Sequence, residues 1–241
     1  KPLDTSIGAN TSAEEVKEEI TFVNPTQIFK FCQSVRTHLV ALDAKSGNVI
    51  WDVEVDDYKK GFSITHAPLA IDGKIIVGIT AGECALTGFL DAYDAATGKR
   101  LWRFQVIPEK GNPARNTWAG NSADYGGGPT WMTGTYDPEQ NLLFWGTGNP
   151  NPDWDGVGRE GDNLYSNSTL ALDADTGAIK FHFQYTPFDV WDFDGINEAV
   201  LTDLDINGKK TPVITHADRN GFFYVIERTN GKLLSASPSS R

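Results

Sequence analysis

Residues 40–51 read VALDAKSGNVIW, and the same pattern returns as DAYDAATGKRLW at 91–102 and as LALDADTGAIKF at 170–181. A weaker copy, YVIERTNGKLL, covers 224–234. In each copy apolar residues lead into an acid, a Gly-containing turn follows, and a second apolar stretch comes next, ending in an aromatic residue in the first three. The acid can accept hydrogen bonds from the turn amides, and Gly supplies the positive φ that the turn needs. Each copy therefore predicts two antiparallel strands joined by a tight turn.

The spacing of these copies predicts the larger architecture. Their anchoring acids are Asp43, Asp94, Asp173 and Glu227, at spacings of 51, 79 and 54 residues. Two of the spacings suit one four-stranded propeller blade, and the longer one contains an insertion. The insertion is predicted as a long loop over residues 103–130, which are rich in Gly, Asn and Pro. Further strands are predicted at Lys74–Ile79, Leu142–Gly146 and Phe222–Ile226.

The fold class that follows is all-β: a β-propeller of four-stranded antiparallel blades, about four of which are present. Only Ala13–Glu19 has a helical pattern, with Ser12 as N-cap and Glu15 at the capping-box position. An open half-propeller would expose two strand edges and invite association. We therefore expect a fragment or processed product, since the chain begins at Lys1, or a chain that needs a second copy or a complementing chain to close the ring.

Composition excludes several classes of function. Apolar residues make up 39% and charged residues 22%, which is typical of a globular protein. The net charge of −11 makes nucleic acid a poor partner, because phosphate contacts need a basic surface. No apolar run approaches the ~20 residues of a membrane span. The two cysteines, Cys32 and Cys84, form no CxxC or Cys/His cluster, so neither a zinc site nor a disulfide-rich scaffold is supported.

The stretches between the repeats carry a more specific signal. They are Thr-His-Ala-Pro at 65–68, Gly-Glu at 82–83, Gly-Gly-Gly-Pro-Thr-Trp at 126–131, Trp-Gly-Thr-Gly-Asn-Pro at 145–150, Trp-Asp-Phe-Asp-Gly-Ile-Asn-Glu at 191–198 and His-Ala-Asp-Arg-Asn-Gly at 216–221. In order and approximate spacing they resemble the pyrroloquinoline-quinone (PQQ)-dependent alcohol dehydrogenases. The repeats, in turn, resemble that family's tryptophan-docking motif. The resemblance covers residues 38–241 and leaves residues 1–37 as an unassigned N-terminal segment.

The resemblance implies a ring of eight blades with the quinone and a metal ion on its axis. It implies that Glu83, Asn149 and Asp192 lie near the ion. Carboxylate and amide oxygens are the ligands that calcium and similar hard cations prefer. Taken separately, Glu83 fits a solvated loop acid and Asn149 fits a turn residue, because Gly-Asn-Pro is typical of turns.

Asp192 and Asp194 form the most informative pair. Residues two apart in an extended segment point to the same side, so both carboxylates could face one cation. Two crowded carboxylates repel each other unless a cation lies between them. The alternative is a polar loop face. By resemblance, calcium-dependent methanol dehydrogenases lack the second acid and lanthanide-using members carry it, so calcium or a lanthanide is the expected ion and Asp194 the fourth metal residue.

Four residues resemble those that hold the quinone. Trp131 resembles the tryptophan beneath the planar cofactor, a stacking role that suits a large flat ring. Thr65 and Thr80 resemble the hydroxyl residues that bind its carboxylates, and Arg219 resembles the arginine beside its reactive carbonyl. The alternatives are a core tryptophan, ordinary strand threonines and a turn arginine paired with Asp218.

One feature departs from the family pattern. These dehydrogenases carry two adjacent, disulfide-linked cysteines that cover the other face of the cofactor. The N-terminal segment that should hold them has none, and Cys84 follows Glu83 without a cysteine neighbour. The departure puts the affinity for the cofactor in doubt.

The chemistry that the resemblance implies is oxidation of a primary alcohol to an aldehyde. Asp192 would take the alcohol proton, hydride would pass to the quinone, and Arg219 would stabilise the oxygen that gains charge. Electrons would leave to a cytochrome c-type or other acceptor, and the location implied is periplasmic or secreted. No haem-attachment CxxCH is present in this chain. A non-catalytic propeller scaffold for envelope assembly and a quinoprotein sugar dehydrogenase are the alternatives.

Overall fold

The computed structural model describes residues 17–23, 28–34, 37–80 and 82–239, and it describes side chains only from residue 37 onward. Within those ranges, sixteen strands form four antiparallel four-stranded sheets, and neighbours in each sheet are consecutive in the chain. The first sheet contains β1 (Lys17–Val23), β2 (Ile28–Ser34), β3 (His38–Asp43) and β4 (Val49–Glu54). The second contains β5 (Leu69–Ile71), β6 (Lys74–Gly78), β7 (Phe89–Asp94) and β8 (Arg100–Gln105). The third contains β9 (Thr135–Asp137), β10 (Leu142–Gly146), β11 (Ser168–Asp173) and β12 (Ile179–Gln184), and the fourth contains β13 (Val200–Ile206), β14 (Lys209–Ala217), β15 (Phe222–Glu227) and β16 (Leu233–Pro238).

Helices are short in the described part of the chain. Four 3₁₀ helices occur there, at Tyr58–Lys60, Gly82–Cys84, Pro113–Thr117 and Ser122–Tyr125. No helix in these ranges is long and apolar enough to cross a membrane. The helix predicted at Ala13–Glu19 is wrong over Lys17–Glu19, which lie in β1 and pair with β2, and residues 13–16 lie outside the described residues. Pairing along seven residues of a neighbouring strand outweighs the weak local helical signal.

The four repeats form the third and fourth strands of the four sheets, as predicted. Asp43 shows why the acid recurs: its Oδ1 accepts hydrogen bonds from Ser46 N at 2.8 Å, Ser46 Oγ at 2.8 Å and Lys45 N at 3.1 Å. Asp94 and Asp173 make the equivalent contacts with their own turns. These hydrogen bonds lower the pKa of all three carboxyls. Each turn is therefore held by an ionised acid.

The aromatic residue that ends a repeat docks on the turn of the next sheet. Trp51 lies against Gly98, where an added Cβ would meet its ring at 2.8 Å, and Trp51 Nε1 donates to Ala95 O at 3.0 Å. Trp102 lies against Gly177 in the same way, with its Nε1 donating to Ala174 O at 3.2 Å. Phe181 covers Gly231. The repeat residues thus make contacts that join successive sheets, which explains why the pattern recurs along the sequence.

Apolar side chains of each central strand alternate between two neighbouring sheets. Ile75 and Val77 of β6 pack toward the first sheet, whereas Ile76 packs toward the third. A separate cluster joins the third and fourth sheets through Phe144, Ile214 and other residues. Sheets stacked face to face in chain order are the blades of a β-propeller. The predicted fold class and the four blades are confirmed.

Two predicted boundaries can be compared with the positions of the strands. Residue 37, the limit of the unassigned segment, falls between β2 and β3 of one sheet, and Gln33 pairs with Leu39 across it. The predicted loop at 103–130 covers most of the connection from β8 to β9 and contains two of the 3₁₀ helices, but residues 103–105 lie in β8, and the connection continues to residue 134. The connection from β10 to β11 is also long, and residues 147–167 form it.

Candidate functional site

The meander topology sends the predicted site residues to one end of the molecule. Strands alternate in direction, so connections between second and third strands emerge at the same end as connections between sheets. Thr80 and Glu83, Asn149, and Arg219 lie on second-to-third-strand connections, whereas Thr65, Trp131, Asp192 and Asp194 lie on connections between sheets. The repeat turns lie at the opposite end. The topology therefore gathers residues that are far apart in sequence.

Backbone hydrogen bonds join these connections directly. The connection that contains the three glycines is central: Gly127 N donates to Leu86 O at 2.9 Å, and Gly128 N donates to Asn149 O at 2.8 Å. Gly148 N in turn donates to Pro129 O at 2.7 Å. Side chains would not fit here, since a Cβ on Gly127 would lie 2.8 Å from Asn149 O. Glycine is needed for the close approach of the connections that carry the site.

Asp194 is the most buried of the predicted acids, with 5% of its surface exposed. Its Oδ1 accepts from Asn149 N at 2.7 Å, and its Oδ2 accepts from Arg219 Nη1 at 3.1 Å. A Cβ on Gly148 would lie 2.6 Å from Asp194 Oδ1. Three of the predicted site residues, from three separate connections, therefore meet at this carboxylate.

Asp192 joins the same group through Arg219, whose Nη2 lies 3.9 Å from Asp192 Oδ2. The extended geometry expected for this segment is wrong, because Asp192 and Asp194 adopt left-handed backbone conformations with φ of +59° and +56°. The buried carboxylate of Asp189 holds this turn, accepting from Trp191 N at 2.9 Å and Phe193 N at 2.8 Å. A turn anchored by Asp189, and not strand alternation, brings both acids to Arg219.

Arg219 does not pair with Asp218, so that alternative is wrong. Asp218 Oδ2 lies 3.0 Å from His216 Nε2, and its Oδ1 accepts from Asn220 N at 3.0 Å. His216 is buried and stacks on Tyr185, with ring centroids 4.0 Å apart. Both neighbours of Arg219 are thereby fixed, and its guanidinium is directed to the two acids.

Asn149 is 1% exposed, which is unlike an ordinary surface turn residue. Its Nδ2 donates to Pro150 O at 3.2 Å and to Asp153 Oδ1. Asp153 is a site residue that the motif comparison missed. Its signal in the sequence is an acid four residues beyond Asn149 in a turn-rich stretch, which is too common to single out.

Glu83 lies on the 3₁₀ helix Gly82–Cys84, and its side chain is exposed. The helix is seated against the glycine-rich connection, because a Cβ on Gly82 would meet Pro129 at 2.8 Å. The negative charge of Glu83 raises the pKa of both Asp153 and Asp192. The charge of Glu83 therefore acts on the two aspartates from within electrostatic range.

Burial and mutual repulsion make these acids hard to ionise together. Burial raises the pKa of Asp194 to about 7, and the neighbouring charge of Asp192 adds to the shift. Burial and the charges of Glu83 and Asp192 raise the pKa of Asp153 to about 6. The pKa of Asp192 is raised mainly by burial, against the opposing effect of Arg219. Such a group is stabilised by a cation placed among its members.

The acids are neighbours without forming a closed cluster. In the described part of the chain, no group of three or more His, Cys, Asp or Glu side chains has an arrangement that could hold a metal ion. The predicted donor set also includes an amide, that of Asn149. Oxygen donors of these kinds are the ones that hard cations take.

Arg159 braces the two connections that carry Asn149 and the aspartate pair. It is fully buried, its Nε donates to Pro152 O at 3.1 Å, and its Nη2 donates to Asp189 O. Its Nη1 also donates to Asn163 Oδ1 at 2.8 Å. The sequence gives no sign of this role, because an arginine in a polar loop is usually solvated.

The residues predicted to hold the quinone lie on connections at the same end of the molecule as the acids. Trp131 is half-buried and follows Thr130, whose Oγ1 accepts from Ile79 N and donates to Phe89 O. Thr80 is half-buried, and its N donates to Ser63 O at 2.8 Å. Thr65 is exposed. Their contact with a cofactor stays a prediction.

The structure describes the side chain of one of the two cysteines. Cys84 is exposed and free. Cys32 lies in β2, and its side chain is outside the described set.

Comparison with known proteins places these features in a family. The family model described as "PQQ: Glucose/ethanol/alcohol dehydrogenase, beta-propeller domain" matches residues 52–236. Quinoprotein alcohol dehydrogenase PedH of Pseudomonas putida is 42% identical over 224 residues, covering 86% of this chain and 38% of that protein. A lanthanide-dependent methanol dehydrogenase of Methylacidiphilum fumariolicum is 39% identical over 227 residues, covering 86% of this chain and 37% of that protein.

Among solved structures, a europium-containing methanol dehydrogenase superposes with a TM-score of 0.83 at 37% identity, covering 91% of this chain and 41% of that one. The chain thus spans well under half the length of these relatives. The matched region includes all the predicted site residues, from Thr65 to Arg219. From its repeats, its four blades and these matches, the chain belongs to the PQQ-dependent alcohol dehydrogenase family of β-propellers.

Proposed function

We propose that this chain carries the metal and quinone site of an enzyme that oxidises a primary alcohol to an aldehyde with PQQ and a bound metal ion. The observation that carries the proposal is the meeting of Asn149, Asp194 and Arg219 at one carboxylate, with Asp192 beside them. These residues come from three connections of the propeller. A structural propeller does not need them together.

The donor set fits a hard cation. Glu83, Asn149, Asp192 and Asp194 would hold the ion, and all four present oxygen atoms. Burial, with a smaller contribution from neighbouring carboxylates, raises the pKa values of Asp192 and Asp194, and a cation would compensate both effects. A trivalent ion would gain more from the fourth donor than a divalent one would. The proposed ion is therefore a lanthanide, with calcium as the alternative.

The surroundings also fit a flat, anionic cofactor. Trp131 would lie beneath it, Thr65 and Thr80 would bind its carboxylates, and Arg219 would contact the carbonyl that gains charge. Bound PQQ would supply an electron-accepting quinone, and the ion would supply a Lewis acid.

Asp192 is the proposed general base. It is half-buried, and Arg219 holds it at 3.9 Å without neutralising it through a direct hydrogen bond. Its ionised form would accept the hydroxyl proton of the alcohol. A sugar substrate stays the alternative, because the matched family model includes glucose dehydrogenases.

Partners and location follow as part of the proposal. Electrons would pass to a cytochrome c-type or other acceptor, and the enzyme would work in the periplasm or outside the cell. A second copy of this chain, or a complementing chain, would close the ring.

The first test is alcohol-dependent dye reduction by the complete protein with PQQ, titrated with Ca²⁺ and with La³⁺. Asp192→Asn should abolish turnover with both ions, because the base is lost. Asp194→Ala should reduce La³⁺-supported turnover more than Ca²⁺-supported turnover. Asp155→Asn, at an exposed acid whose side chain caps the Val157 amide, is the matched control.

Two results would count against the proposal. Equal losses with both ions in Asp194→Ala would remove the reason to prefer a lanthanide. A correctly assembled protein that takes up neither PQQ nor metal would favour the scaffold alternative, whereas turnover of sugars over alcohols would favour the sugar dehydrogenase.

A further inference from the structure

The side-chain amide of Asn149 has a fixed orientation in this structure. Its Nδ2 donates to two acceptors, the Pro150 carbonyl at 3.2 Å and the Asp153 carboxylate. An amide can be turned to present either its NH₂ or its oxygen, and the neighbours decide which. A backbone carbonyl and an ionised carboxylate can only accept hydrogen bonds. The NH₂ must therefore face them, and Oδ1 must face the other way.

The oxygen that results is available to a ligand. Asn149 is almost completely buried, yet no hydrogen-bond donor in the described part of the chain contacts its Oδ1. The backbone N–H of the same residue holds Asp194, so Asn149 is fixed to a second site residue. Among the described residues, Asn149 Oδ1 is not one of the fully buried atoms that lack a partner, so it keeps access from the site, and such an amide oxygen is a suitable ligand for a hard cation.

We infer that Asp153 is a positioning residue of the metal site, which turns Asn149 Oδ1 toward the ion by accepting its Nδ2–H. The inference rests on the proposed function and deepens it, since it gives the site a residue that the family motifs do not include. Asp153 is half-buried, and it is contributed by the long connection between β10 and β11. Without it, only the longer contact with the Pro150 carbonyl, at 3.2 Å, would hold the orientation of the Asn149 amide.

The test is isothermal titration calorimetry of the complete protein with La³⁺ and with Ca²⁺. Asp153→Ala removes the acceptor, and we expect affinity for the ion to fall about 10–100-fold, the range for partners that orient a metal ligand. Asp153→Asn removes the charge but keeps a carbonyl acceptor, so its loss should be smaller than that of Asp153→Ala. Asp155→Asn removes one nearby charge outside the hydrogen bond and should change affinity by less than about 3-fold.

Circular dichroism and thermal unfolding of each variant separate positioning from misfolding. Glu83→Gln tests the site itself: if the protein binds no La³⁺, or if Glu83→Gln leaves affinity unchanged, the proposed site fails and the inference fails with it. If Glu83→Gln weakens binding but Asp153→Ala behaves like Asp155→Asn, only the inference is overturned. Equal losses in Asp153→Ala and Asp153→Asn would mean that Asp153 acts through its charge alone, and this would also overturn the positioning role.

Discussion

Asp194 concentrates the electrostatics of the site in one carboxyl. It is nearly buried, it receives two hydrogen bonds, and burial still raises its pKa to about 7. A carboxyl whose pKa is higher in the folded than in the unfolded protein stabilises the fold at low pH, where it is protonated. That contribution is fully present below about pH 4 and is lost as the pH rises through about 7. The metal-free protein should therefore become less stable over this range, and a bound cation should reverse the loss.

A prediction about pH follows for metal binding. The ion takes the ionised carboxylate, so below pH 7 binding must release the proton of Asp194. We expect La³⁺ affinity to rise about tenfold per pH unit between pH 5.5 and 6.5 and to level off above pH 7.5. Calorimetry in buffers of different ionisation enthalpy measures the released protons. Affinity that does not change with pH would show that Asp194 is ionised without the metal.

The resemblance of the motifs to those of a known family was sufficient to predict the residues that meet at Asp194. It was insufficient for Asp153, Arg159 and Asp189, whose roles depend on contacts between connections distant in the chain. Arg159, for example, reaches Asp189 across thirty residues. The expected extended segment at Asp192 failed for the same reason, since the Asp189 carboxylate imposes a turn there.

At the scale of elements, the repeated turn explains how blades attach to one another. The repeats predict the hairpins, and the structure adds that the aromatic residue of one repeat covers the glycine of the next. In the fourth sheet the corresponding position is Ser235, so this contact is missing from the final repeat. The helix predicted near the N-terminus failed because a strand partner, invisible in the local pattern, decides the conformation of Lys17–Val23.

Truncation of a docking aromatic should weaken the packing between two blades and so lower the stability of the fold. Trp102 is 9% exposed, and its ring lies between the second and third sheets. We expect Trp102→Ala to lower the free energy of unfolding by about 3–5 kcal/mol, the usual cost of removing a large buried aromatic. Trp102→Phe keeps most of the packing and loses only the hydrogen bond to Ala174, so about 1 kcal/mol is expected. Urea denaturation measures both, with the half-exposed Leu101→Ala as control, and a loss below 1 kcal/mol in Trp102→Ala would contradict the docking role.

At the scale of the whole molecule, the fourth sheet exposes large apolar side chains on one part of its outer face. Val200 pairs with Thr215 and Phe223 with Ala217, so both project from the face opposite Ile214. Val200 is 58% exposed and Phe223 is 42% exposed. Apolar residues grouped on an open sheet are typical of surfaces that pack against another sheet.

We expect this chain alone to associate through that face. Light scattering should give a mass above the 26.4 kDa of one chain, and Phe223→Lys should lower it. Leu101→Lys, at an exposed site on the second sheet, is the control. A monomer at every concentration would show that the face is not used between copies.

Glu83, Asn149, Asp192 and Asp194 are proposed to hold one ion beside the quinone. The most direct measurement is the anomalous diffraction of La³⁺ in crystals of the complete protein grown with PQQ. We expect a single strong peak among these four residues, with ligand distances of about 2.3–2.6 Å, and quinone density beside that peak. A peak elsewhere on the propeller, or quinone bound with no ion among these residues, would contradict this proposal.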